Sequence, residues 1–143
     1  MTREGEEYVV KEFAGANLNE DNRRQLQREV ANVKRIDSHP SIVDIEGMFF
    51  DGKNGYVVMR YVRGKRLNEV LQECYQQKDW NRIMRICRNL AMGVYHLHKY
   101  GIAHRDVKPE NVIVREGSDQ VVLIDFETSK QVNTISGIYF INE

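Results

Sequence analysis

His104-Arg105-Asp106-Val107-Lys108-Pro109-Glu110-Asn111 is a polar stretch set between two apolar patterns of different period. Before it, from Trp80 to Tyr100, the residues Ile83, Cys87, Leu90, Val94 and Leu97 recur at three- and four-residue intervals. That spacing predicts a long amphipathic helix, with Gly101 as its C-terminal cap. After it, the apolar runs Val112-Ile113-Val114 and Val121 to Ile124 flank the turn formers Glu116-Gly117-Ser118-Asp119, which predicts a short hairpin.

Outward from this centre, Asp125-Phe126-Glu127 directly follows the second run, fourteen residues after Asn111, and the tail to Glu143 has no clear periodicity. Toward the N-terminus, Leu67, Val70, Leu71 and Cys74 predict a shorter helix after Arg63-Gly64-Lys65, read as a short break. The apolar runs Ile42 to Phe50 and Tyr56 to Val62, separated by Asp51-Gly52-Lys53-Asn54-Gly55, predict an antiparallel hairpin. Leu26, Val30 and Val33, with Glu29 beside them, predict a helix from Arg23 to Ile36. The polar stretch Asn17 to Asn22 opens it, and His39-Pro40 closes it. Tyr8 to Phe13 alternates as a strand, with Val9, Lys11 and Phe13 on one face and Tyr8 and Val10 on the other. The order is strand, helix, two strands, two helices, two short strands and a loop. This is an α+β chain: a small antiparallel sheet with one helix, then a mainly helical part.

The 143 residues suit one compact domain with room for a real core. Lysine plus arginine and aspartate plus glutamate number 21 each, so charge gives no reason to expect nucleic acid or an anionic membrane as partner. Cys74 and Cys87 form no CxxC pair, and reduced thiols in the cytoplasm or nucleus are the expectation. The start, Met1-Thr2-Arg3-Glu4-Gly5-Glu6-Glu7, lacks the apolar core of a signal peptide, and no run is apolar for long enough to span a bilayer.

The central octapeptide resembles the catalytic loop of eukaryotic-type protein kinases, H-R-D-L-x-x-x-N. The resemblance implies ATP and magnesium as cofactors and protein hydroxyls as substrates. It makes Asp106 the residue that accepts and positions the substrate hydroxyl, Lys108 the Ser/Thr-class lysine near the transferred phosphate, and Asn111 a metal ligand. Asp125-Phe126-Glu127 resembles D-F-G, whose aspartate, here Asp125, chelates the magnesium that bridges the phosphates; Glu127 stands where the family has glycine. Val9-Val10-Lys11 resembles the V-A-I-K strand, so that Lys11 would hold ATP phosphates and pair with Glu29, eighteen residues on. Two inward-pointing charges need each other, because a buried unpaired charge is costly.

The likeness continues through His39-Pro40-Ser41-Ile42-Val43, similar to H-P-N-I-V, and through Tyr56 to Val62, similar to the fifth strand and hinge. It makes Met59 the gatekeeper, has the backbone of Arg60, Tyr61 and Val62 face adenine, and places Ile113 among the ATP-binding residues. Val33, Ile45, His104 and Phe126 would form the apolar spine. Tyr139 to Glu143 faintly resembles the close of an activation segment. Within that segment Thr128, Ser129, Thr134 and Ser136 are candidate phosphosites, with Arg105 placed to read such a phosphate.

The likeness spans Tyr8 to Glu143, about 7–62 as an N-lobe part with hinge and 63–143 as a C-lobe part. No G-x-G-x-x-G precedes Lys11, and nothing follows Glu143. The expectation is a partial kinase domain, shortened at both ends, whose longest helix exposes part of its apolar stripe. Three functions stay open: a Ser/Thr protein kinase acting through Mg-ATP, a non-catalytic module that docks on a partner kinase or substrate, and a fragment of a longer kinase.

Overall fold

The computed structural model describes residues 2–3, 5–13, 19–126, 130–131, 133–135 and 138–140. The chain divides into two units. One comprises Met1–Asp37 and Asp44–Tyr61, the other Ser38–Val43 and Val62–Glu143.

In the first unit, β1 (Thr2–Arg3), β2 (Glu6–Phe13), β3 (Ile45–Asp51) and β4 (Asn54–Arg60) form an antiparallel sheet in the order β1-β2-β4-β3. Helix α1 (Glu20–Lys34) covers one face. The β2–β4 register sets Val9 opposite Met59, Lys11 opposite Val57 and Phe13 opposite Gly55. Residues directly opposite in an antiparallel pair share a face. Val57 is buried with Leu26 and Val30 of α1, and Phe13, Ile45, Met48, Phe50 and Met59 pack on that cluster. The face that carries Lys11 is therefore the helix-covered one, as the alternation predicts. On the other face Phe49 stacks on Tyr56 at 4.9 Å.

The Asn19 side chain accepts from the Asn22 N–H at 2.8 Å, and Glu20 and Asp21 follow in the first turn, where acids complement the helix dipole. The helix stops at Lys34, short of Ile36: the N–H groups of Arg35 and Ile36 turn back to the carbonyls of Asn32 and Val33.

In the second unit, β5 (Gly64–Arg66), α2 (Leu67–Gln77), α3 (Trp80–Lys99) and β6 (Ile102–Ala103) lead into a single 3-10 turn at Pro109–Asn111. Then come β7 (Val112–Arg115), β8 (Val121–Leu123), β9 (Lys130–Gln131), β10 (Asn133–Ile135) and β11 (Ile138–Phe140). The strands pair as β5-β7-β8, β6-β9 and β10-β11. Val112, Val121, Val122, Leu123, Ile86, Leu97 and Ile102 make the core. No described helix is long and apolar enough to cross a membrane.

Four sequence expectations are corrected. Arg63-Gly64-Lys65 is not a simple break, because Gly64–Arg66 pairs with β7. A Cβ at Gly64 would stand 2.0 Å from the Val114 carbonyl oxygen, so the strand depends on a glycine and on a partner fifty residues away. Ile42 to Phe50 is not one strand. The Val43 N–H donates to the Leu123 carbonyl at 3.0 Å and the Leu123 N–H to the Ser41 carbonyl at 2.9 Å, which fastens Ser38–Val43 to the second unit. Helix α3 turns Ile86, Gly93 and Leu97 inward and leaves Cys87 exposed. Its closest approach is at Gly93, where a Cβ would lie 2.7 Å from the Ser41 Cβ, and glycine is invisible to a count of apolar residues. The tail forms β9 to β11, whose pairing partners lie in β6 and in the tail itself.

Candidate active site

Helix α3 ends at Lys99 with Tyr100 as its cap, and Gly101, at φ 67°, donates its N–H to the His98 carbonyl at 2.9 Å. A left-handed residue here suits glycine and turns the chain back toward the core. Strand β6 then delivers His104, which is buried. The Asp106 N–H donates to His104 Nδ1 at 3.2 Å, so the neutral ring carries its proton on Nε2. Burial pushes the His104 pKa down, and the carboxylates of Asp125 and Asp106 only partly oppose it. The ring sits 4.9 Å from that of Phe126, centroid to centroid. Two of the residues expected in the apolar spine thus meet, while Val33 and Ile45 lie in the first unit.

Arg105 adopts φ 66°, a region costly for a residue with a side chain. The loop holds it there by bonds on both sides. Asn111 Nδ2 donates to the Asp106 carbonyl at 3.0 Å and to Asp106 Oδ2 at 2.9 Å. Lys108 Nζ lies 3.3 Å from the same Oδ2. The Asn111 N–H donates to the Lys108 carbonyl at 2.9 Å, and the Ile124 N–H donates to the Asn111 carbonyl at 3.1 Å. Asp106, Lys108 and Asn111 are thus brought together, with Asp125 one residue beyond the Ile124 bond. Both side-chain contacts to Asp106 fall on Oδ2, and Oδ1 is the oxygen that can accept from an incoming hydroxyl.

Asn111 is buried and donates through its amide nitrogen, and the amide oxygen takes no part in these bonds to Asp106. An amide oxygen from Asn111 and a carboxylate from Asp125 are hard oxygen donors of the type magnesium takes, with phosphate and water completing its shell. Among the described residues no group of three His, Cys, Asp or Glu could hold a metal alone.

In the first unit, Glu29 is 7% exposed on α1, and its Oε1 accepts from Gln25 Nε2 at 2.9 Å. Lys11 is partly buried on the sheet face that α1 covers, its Nζ 5.5 Å from the centre of the Phe13 ring. Met59 is half-buried between Val9 and Ile45. Arg60 pairs with Glu6 at 3.1 Å and lies 3.9 Å from Glu46, both exposed. The N–H groups of Arg60 and Tyr61 donate to the carbonyls of Asp44 and Glu7, each at 2.9 Å. Val62 is buried in the second unit, and Ile113 sits in β7 opposite Arg66 and Val122. An open cavity of about 480 Å³, lined by Arg24, Gln27, Arg28 and Ala31 of α1, contains none of these residues. Glu127, the side chains of Thr128, Ser129, Thr134, Ser136 and Tyr139, and Glu143 lie outside the described residues.

One supporting residue escaped the sequence. Arg66 Nη1 donates to the Glu110 carbonyl at 2.5 Å and braces the loop of His104 to Asn111 from β5. Its distance in sequence leaves no local signal.

The family model for the protein kinase domain matches residues 1–139. The chain is 34% identical over 132 residues to MAP kinase-interacting serine/threonine-protein kinase mnk-1 of Caenorhabditis elegans, covering 90% of this chain and 18% of that protein. It is 32% identical to LIM domain kinase 1 of Drosophila melanogaster, covering 90% of this chain and 10% of that protein. It is 28% identical to ribosomal protein S6 kinase alpha-2 of Mus musculus, covering 92% and 18%. The chain therefore spans less than a fifth of the length of these relatives. The loop that fastens Asp106 to Asn111 and the match over nearly the whole chain agree: the chain belongs to the protein kinase domain family.

Proposed function

We propose that this chain binds Mg-ATP and transfers the γ-phosphoryl group to a Ser or Thr hydroxyl of a protein substrate. The observation that carries the proposal is the hold on Asp106, whose Oδ2 is engaged by Asn111 and Lys108, so that Oδ1 would serve the substrate hydroxyl. Asp106 accepts the hydroxyl hydrogen bond and aligns its oxygen. That oxygen forms the new P–O bond as the bond to the leaving diphosphate breaks, and the released proton passes through Asp106 to water. Lys108 offers a cation beside the moving charge. Asn111 and Asp125 would hold magnesium, and bound Mg-ATP supplies the phosphoryl group together with the divalent charge.

Lys11 would contact the phosphates, steadied by Glu29, since both lie on the α1-covered side of the sheet. The Arg60 and Tyr61 N–H groups are engaged within the unit, so adenine recognition in this stretch falls to the Val62 N–H and to carbonyl oxygens. Cys74 and Cys87 are both free thiols, which fits the cytoplasm or nucleus. A non-catalytic docking role is the second reading, and the exposed side of α3 is what favours it.

The test is transfer of label from γ-labelled ATP to a mixed Ser/Thr peptide pool. Wild type transfers label to both hydroxyl types, and Asp106→Asn lowers the rate about 10²- to 10⁴-fold. No transfer by wild type, or an unchanged rate in Asp106→Asn, overturns the proposal.

A further inference from the structure

Ser38–Val43 joins the second unit through a turn in which the Ile42 N–H donates to the His39 carbonyl at 3.0 Å. Inside that turn the Ser41 N–H donates to His39 Nδ1, also at 3.0 Å. The neutral His39 ring therefore carries its proton on Nε2 and offers Nδ1 as an acceptor. Ser41 is 2% exposed and is tied on several sides. Its carbonyl accepts from the Leu123 N–H of β8 at 2.9 Å. Its Oγ donates to the Asn89 carbonyl of α3 at 3.3 Å and accepts from Gln120 Nε2 at 2.7 Å. The His39 ring stacks on that of His96 of α3, with centroids 4.4 Å apart and planes 27° from parallel, and Tyr100 tilts against His96 at 5.3 Å. Lys99 follows three residues after His96, and α3 holds no Asp or Glu in its twenty residues.

We propose that Ser38–Val43 is a latch on α3 and β8 that acid opens, with His39 as its trigger. Once Nε2 carries the first proton of an imidazole, the second can go only to Nδ1. In the closed turn that nitrogen faces the Ser41 N–H, so protonation sets donor against donor and the bond is lost. The closed turn and the charged ring exclude one another. The surroundings add to this: burial first, then His96 and Lys99, act against the charged ring and set its pKa below the usual histidine value. Strand β8 brings only Val121, Val122 and Leu123, and Asp119 before it is held by Arg82 and Arg85 at 2.9 and 2.7 Å. Asp37, two residues before His39, is exposed, and no carboxylate is among the groups that set the His39 pKa. Opening the turn therefore takes up a proton between the closed-state pKa and the ordinary value of about 6.5. The closed turn is fully favoured above about pH 6.5 and loses ground as pH falls toward the closed-state value, by up to about tenfold per unit. Release of Ser41 frees the peptide that joins β8 to α3, two residues before Asp125 on the β8 side. The latch works without nucleotide and without phosphoryl transfer.

The test is nuclear magnetic resonance on the whole chain without nucleotide. Ring nitrogen shifts give the His39 tautomer and its titration midpoint. Amide hydrogen exchange, corrected for its intrinsic pH dependence, gives protection at Ser41, Val43 and Leu123. At pH 8 the ring should carry its proton on Nε2. Between pH 7 and pH 5 protection at Ser41 and Leu123 should fall by about threefold or more, over the window in which the ring titrates, and further than at Val30 of α1. His39→Asn offers a side-chain oxygen to the same N–H and cannot titrate, so protection should stay flat. His96→Phe keeps a ring in the stack without its charge, so the fall should be smaller than in wild type. Should His39→Asn fail to fold, the match between the His39 midpoint and the loss of Ser41 protection in wild type still decides. A proton on Nδ1 at pH 8, Ser41 protection that does not change with pH, a fall that does not track the ring, or an equal fall in folded His39→Asn would each overturn the proposal.

Discussion

Helices α1 and α3 are both amphipathic, yet they break the rule of apolar inside and polar outside in opposite ways. Helix α1 buries Leu26, Val30 and Val33 on its own sheet and buries a carboxylate, Glu29, with them. Helix α3 buries Ile86, Gly93 and Leu97 and leaves Trp80, Met84 and Tyr95 in solvent. A buried acid and an exposed aromatic stripe are the informative exceptions in any fold. The first asks for a cation inside the unit, and Lys11 lies on the sheet face that α1 covers. The second leaves apolar area uncovered among the described residues.

The largest effect should come from the inward side of α3. Leu97→Ala removes a fully buried side chain and should cost about 2–5 kcal/mol in a denaturant titration followed by Trp80 emission. Next is the proposed pair. In a double-mutant cycle on Lys11→Met and Glu29→Leu, the two changes should couple by about 1–3 kcal/mol; additive losses would mean that the two charges stabilise the unit independently.

A smaller and directional effect is expected with acid. The His104 pKa is lowered by burial, and that of His39 by burial and then by His96 and Lys99 of α3. A lowered histidine is neutral in the fold and takes up protons more readily when unfolded. Stability is then full above about pH 6.5 and falls as pH drops toward the folded-state values. Helix α3 and its neighbours should loosen before α1, as read by amide exchange of each helix between pH 7 and pH 5. His39→Asn should reduce the difference. The smallest effect is on the outward stripe: Trp80→Ala should change stability by less than about 0.5 kcal/mol, because its ring is mostly in solvent already. A loss as large as that of Leu97→Ala would mean the stripe belongs to the core.

The clustering of Asp106, Lys108 and Asn111 was legible because it falls within eight consecutive residues, His104 to Asn111, and local bonds make it. The Lys11 face was legible from strand alternation alone, and the β2–β4 register agrees with it. What escaped depended on distant partners. Strand β5 exists because Gly64 lies against Val114, and the inward register of α3 follows from the contact of Gly93 with Ser41. Ser38–Val43 reads as part of the first sheet by apolar content, and only its hydrogen bonds with Leu123 assign it to the second unit. Both glycines are chosen for the absence of a side chain, which no apolar periodicity registers.

The central claim is the proposed binding of Mg-ATP, in which Lys11 and Asp125 each have a role, and the most direct test is thermal melting of the purified chain with and without Mg-ATP. A ligand that binds only the folded chain stabilises it by about 2.7 kcal/mol at a hundred times its Kd, enough for a rise of a few degrees. The account predicts a cooperative melt that rises with Mg-ATP and loses that rise in both Lys11→Met and Asp125→Ala. A cooperative melt indifferent to Mg-ATP, or an equal rise in both variants, would contradict it.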